Sequence, residues 1–115
     1  SLAVMKLTSP PKKLFTLLII FSLGAYAQDD PIKRATTLTD TMTKALSLNK
    51  EEQTKVYKIQ LERFQEVSII KNKYQDNPET KKTKLKKVYN KLYGKLKGNL
   101  GEKKMLLWQN YKRNN

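Results

Sequence analysis

The chain has 115 residues, 24 of them Lys or Arg against 10 Asp or Glu, a formal net charge of +14, and neither Cys nor His. Those absences remove disulfides, Cys-ligated zinc, iron–sulfur clusters and thiol nucleophiles, and also the commonest general base, metal ligand and triad member. With four Gly in all, and no G-x-G-x-x-G or P-loop spacing, there is no phosphate cradle; the composition points to one small binding or scaffolding domain without metal or cofactor, not to an enzyme.

Residues 1–27 read as an address. Met5 is taken as the start, with Ser1–Val4 preceding it. Lys6, Lys12 and Lys13 form a basic segment, Leu14 to Ala25 an apolar run, and Ala25-Tyr26-Ala27 a small-residue cleavage pattern, the three parts of a secretory signal peptide. The run to Ala27 is too short for a membrane-spanning helix, which needs roughly 20 residues. Cleavage after Ala27 would leave a mature domain of residues 28–115 in the periplasm. That domain holds 21 basic and 10 acidic residues, net +11, and 18 of the 21 are Lys. Residues 28–70 balance at seven of each sign, whereas residues 71–115 carry fourteen basic and three acidic. Export makes lipid head groups and acidic polymers or proteins, rather than nucleic acid, the polyanions within reach.

Four short helices are expected in the mature domain, forming an all-α, antiparallel, hairpin-like bundle. Asp30-Pro31 starts the first, with Asp at N-cap and Pro at N1; Ile32, Ala35, Leu38, Met42 and Ala45 form its apolar face. Ser47-Leu48-Asn49 interrupts it. Asn49 caps the second helix, with Glu52 three residues on as its capping-box partner. Tyr57, Leu61, Phe64, Val67 and Tyr74 mark the second apolar face; Val56, Ile59 and Ile70 widen it, and Ile69 falls outside it. Asp76-Asn77-Pro78-Glu79 ends that helix and starts a third, with Asn77 as cap and Pro78 at N1. Leu85, Val88, Leu92 and Leu96, flanked by Tyr89 and Tyr93, face the core, and Lys84, Lys87, Lys91 and Lys95 form a ridge on the opposite side. Gly98-Asn99-Leu100-Gly101 is read as the end of the third helix, and a short fourth carries Met105, Trp108 and Tyr111 beside Leu106 and Leu107. A chain this small buries a thin core and gains from dimerisation.

The segment Ala45 to Tyr57 resembles the LTxxQ motif of the Spy/CpxP family. Leu48 takes the Leu position, Asn49 the cap, and Glu52 the Gln position with Gln53 next to it. A second copy, Leu100-Gly101-Glu102-Lys103-Lys104, has Gly101 at the cap and Lys104 at the Gln position. The resemblance covers most of residues 33–113. It implies a small helical periplasmic protein, a cradle-shaped homodimer, and an ATP-independent chaperone or envelope-stress accessory protein that holds unfolded or misassembled envelope proteins on a basic, partly apolar surface. Leu48, Asn49, Glu52, Gln53, Leu100 and Glu102 are read as fold-holding rather than client-contacting.

The candidate client-binding residues are Lys84, Lys87, Lys91, Lys95, Tyr57, Phe64 and Trp108. Each has a plainer alternative. The lysines can be a solvated helix face, though no acid lies between Glu79 and Glu102. Tyr57, Phe64, Tyr89 and Tyr93 sit at core spacing, and Trp108 can anchor the last helix. The adjacent acids Glu51-Glu52 and Asp29-Asp30 lie at helix starts, where they suit the macrodipole, and form no catalytic or metal site. Two other functions stay open: a binder of anionic lipid or envelope polyanions, and a regulatory adaptor for one membrane sensor.

Overall fold

The computed structural model describes residues 30–115, and the leader with its cleavage pattern lies outside the described residues. Three α-helices follow one another: α1 Pro31–Leu46, α2 Lys50–Lys73 and α3 Pro78–Asn114. Helix α1 begins at Pro31 as the fixed φ of proline favours. Its threonines lower helix propensity, and Thr36 and Thr41 turn their hydroxyls back to donate to the carbonyls of Ile32 and Thr37 at 2.8 and 3.1 Å. Tertiary packing therefore holds α1: Ala35, Thr39, Met42 and Leu46 are buried. Leu38 and Ala45 are partly buried, and Ile32 is exposed.

The α1–α2 corner turns on Ser47, a non-glycine residue at φ 54°. The Leu48 amide donates to the Thr43 carbonyl at 3.1 Å, a bond from the second residue past the helix back into its last turn. Leu48 is folded under the corner into the core with Met42. This is a Schellman ending with serine in the left-handed position that glycine usually fills. Asn49 then opens α2 with a complete capping box: its side chain accepts from the Glu52 amide at 2.8 Å, and its own amide donates to Glu52 Oε1 at 3.0 Å. Gln53 Nε2 donates to the Leu48 carbonyl at 3.2 Å. The second corner follows the Asn77-Pro78 reading: the Asn77 side chain accepts from the Thr80 amide at 3.2 Å, and Pro78 occupies the first turn of α3.

Where four helices were expected, three form. Gly94 and Gly98 stay inside α3, and Gly101 alone is non-helical, at φ 87° and ψ 164°. A helical glycine costs only about 1 kcal/mol relative to alanine, and Leu96 and Leu100, both buried, hold the Gly98 turn against the core. The chain breaks at Gly101 and resumes helix at once.

Helix α2 is central, packing along both α1 and α3, while α1 meets α3 over a shorter length. The buried face of α2 is accordingly wider than the expected stripe. Val56, Ile59, Gln60, Phe64 and Val67 are buried, and Tyr57, Leu61, Ile70 and Tyr74 lie at its margins. The main core joins Met42, Leu46 and Leu48 to Val56, Ile59, Leu96, Leu100, Met105 and Trp108. It sits where both ends of the α1–α2 corner meet the Gly101 break. Residues Pro31–Asn115 form one compact unit around it.

Candidate functional site

The turns at Leu48 and at Leu100 converge. Leu48 and Leu100 belong to the same core cluster. Glu52 and Lys104 meet in an ion pair: Lys104 Nζ lies 2.9 and 2.7 Å from the two carboxylate oxygens of Glu52. Glu52 thus caps α2 and clasps the segment beyond Gly101 with one carboxylate. The Lys104 ammonium, and after it the Asn49 amide, hold Glu52 below the ordinary carboxylate value of 4.5, against an opposing effect of burial. Glu102 lies on the surface, 4.0 Å from Lys97.

The lysine ridge of α3 divides in two. Lys91 bonds Glu66 at 2.7 Å and lies 3.7 Å from Glu62; Lys95 bonds Glu62 at 2.6 Å. The acids missing from the α3 sequence come from α2, and Lys91 and Lys95 stand at the α2–α3 seam. Lys95 holds Glu62 below the usual carboxylate range, and Glu66, then Glu62, hold Lys91 above the usual lysine value. Glu62 and Glu66 were not singled out from sequence, yet a signal was present. Glu62 with Lys95, and Glu66 with Lys91, lie symmetrically about the Pro78–Glu79 step, as antiparallel helices of equal rise require. Lys84 and Lys87 make no ion pair among the described residues. With Lys91 they rim an open groove of about 300 Å³ whose apolar lining is Ile69, Ile70 and Val88.

The aromatic candidates go mostly inward. Phe64 is 7% exposed, with the Arg34 and Arg63 guanidiniums 4.6 and 4.2 Å from its ring centre. Trp108 is 6% exposed and stacks on Tyr111 at 5.5 Å between ring centres. Tyr57 is half-buried. Tyr89 and Tyr93, whose spacing suggested core, are left outside at 44% and 46% exposed, and past the break Leu106 and Leu107 are 62% and 48% exposed. On an amphipathic helix whose neighbours cover only the middle of its apolar stripe, the flanks of that stripe stay in water. Arg63 lies over the Tyr89 ring at 5.5 Å and its Nη1 donates to the buried Gln60 at 3.2 Å; burial lowers its pKa, with Tyr89 opposing.

Among the described residues, no three acidic side chains gather where they could hold a metal ion, and no helix is long and apolar enough to cross a membrane. The fold and surface define a small, basic, all-helical protein that leaves large apolar side chains in water beside lysines. The chain belongs to the family described as a domain of unknown function, DUF4890, whose model matches residues 24–108. No curated protein and no solved structure matches it.

Proposed function

We propose that this protein is an ATP-independent periplasmic chaperone or envelope-stress accessory protein of the Spy/CpxP kind, exported by its leader and holding unfolded envelope proteins on a basic, partly apolar surface. The observation that carries the reading is the exposure of Tyr89, Tyr93, Leu106 and Leu107 on α3. Lys86 and Lys97, three residues before Tyr89 and four after Tyr93, flank the tyrosines on the same side of the helix. Lysines speed encounter with acidic segments, and exposed rings and leucines then hold apolar ones. The meeting of the Leu48 and Leu100 turns through Glu52 and Lys104 supports the resemblance: on this reading the motif serves to close the fold. The homodimer that the resemblance implies would have to leave the Tyr89–Leu107 face open to clients.

The test follows aggregation of a chemically unfolded client by light scattering, without nucleotide, at low and at raised salt. Suppression that survives salt, and that Tyr89→Ser with Tyr93→Ser weakens while helicity is unchanged, supports the reading. Absence of suppression at both salts rejects a general chaperone and directs the search to a single sensor partner.

A further inference from the structure

The ladder of ion pairs along the α2–α3 hairpin stops short of the turn. Glu66 is its last acid. Beyond it, residues 71–87 carry seven lysines against Asp76 and Glu79, and among the described residues none of these side chains is in an ion pair. Lys82, Lys84, Lys86 and Lys87 are exposed and spread around α3 rather than along one stripe. Lys71 and Lys73 add the last turn of α2. Tyr74 sits between the two helices' charges, with Lys73 and Lys84 ammonium groups 5.6 and 5.9 Å from its ring centre. Next to this collar lies the groove lined by Ile69, Ile70 and Val88, and Ile69 is 62% exposed.

We propose that this end of the hairpin docks on the surface of an anionic lipid bilayer, with the lysine collar among the head-group phosphates and Ile69 and Ile70 at the boundary with the acyl chains. A bilayer meets lysines on several sides of two helices at once. An acidic peptide laid in the groove would meet only Lys84, Lys87 and Lys91, and Lys91 is already held by Glu66 and Glu62. Lysine is a flexible, strongly hydrated point charge, suited to a fluid layer of phosphates rather than to one fixed ligand. Tyrosine with an apolar body and a polar tip, and an exposed isoleucine beside lysines, are the side chains that settle at a head-group boundary. The docking end meets the Tyr89–Leu107 surface assigned to clients at Lys86, but Lys84, Lys87 and Ile69, the residues changed in the test, lie outside that surface, so either assignment can stand without the other.

The chain from Gln28 onward, which contains the whole compact unit, is sedimented with phosphatidylcholine vesicles and with vesicles that also contain phosphatidylglycerol. Binding is expected to the second and not the first, and to weaken with salt as the Debye length shortens. The pair Lys84→Glu and Lys87→Glu should lower the partition coefficient by about thirtyfold or more. Lys50→Glu with Lys103→Glu, the same charge change at the opposite end of the hairpin, should lower it far less. Circular dichroism of each variant checks that helicity is kept. An Ile69→Trp variant should shift its emission to the blue when anionic vesicles are added. Equal losses from the two charge-reversal pairs, equal binding to neutral vesicles, or no blue shift would overturn the proposal. Binding of a polyglutamate peptide lost in the Lys84/Lys87 pair, with no vesicle binding, would also overturn it and assign the groove to acidic peptides.

Discussion

Among the described residues, two backbone positions carry conformations that side chains dislike, and they have opposite remedies. Gly101 sits at φ 87° and ψ 164°, a region open in practice only to glycine. An added Cβ there meets nothing within 4 Å, so the penalty of Gly101→Ala is conformational. It should destabilise by about 1–3 kcal/mol, whereas Gly98→Ala, helical and equally open, should stabilise by up to about 1 kcal/mol; urea unfolding of the two variants checks the sign reversal. Ser47 has the reverse problem, a side chain at φ 54°. Ser47→Gly should stabilise by about 1 kcal/mol, a rise in Tm of about 4–8 °C for a chain of this size, read by thermal denaturation. Sequence marked both positions as breaks in a helix. It did not distinguish a stop from a one-residue break, because glycine's cost is small beside the burial of Leu96 and Leu100 that carries the helix through.

At the scale of elements, the corners were the most legible part. Asn49 with Glu52 and Asn77 with Pro78 satisfy orphan amides by local chemistry, which sequence spells out directly. The buried face of α2 was less legible. Gln60 is 1% exposed because α2 packs on two neighbours, and no periodicity in α2 alone reveals a second neighbour. The hairpin pairs add a pH dependence. Glu52 and Glu62 have pKa values depressed in the folded state, by Lys104 and Lys95 respectively before other causes. Groups so depressed contribute stability above their unfolded pKa and lose it as pH falls through the folded values. The Tm should therefore hold near neutrality and fall once pH drops below the ordinary carboxylate value of 4.5. Glu52→Gln with Glu62→Gln should lower Tm at neutral pH and flatten its acid limb, as calorimetry across pH would record.

At the scale of the molecule, core and charge occupy opposite ends. The main cluster gathers Leu48, Leu100, Met105 and Trp108, far along the hairpin from the unpaired lysines of residues 71–87. Leu100→Ala, where the Leu48 and Leu100 turns meet in the core, should cost about 2–5 kcal/mol, while Ile69→Ala at the exposed end should stay within about 0.5 kcal/mol; chemical denaturation separates them. Sequence showed the charge asymmetry as soon as the chain was halved. It did not show which lysines remain free, since Lys91 and Lys95 find their acids only through the antiparallel register. Nor did it show that Tyr89 and Tyr93 stay in water, since helical spacing places a residue on a stripe without saying how wide the covering neighbour is.

The break at Gly101 also sets the rotational phase of everything after it. In an uninterrupted helix at 100° per residue, Leu107 would lie about 20° from Leu96, and Met105 about 180° from it. The segment beyond Gly101 therefore has two apolar faces, and straightening α3 would turn the leucine face toward the core and carry Met105 away from it. One glycine's backbone angles decide that Met105 and Trp108 are buried and that Leu106 and Leu107 are presented to solvent. A chain with Gly101 replaced would lose more than stability: its Trp108 emission would move to the red as the ring meets water, and Leu106 and Leu107 would be withdrawn from the surface.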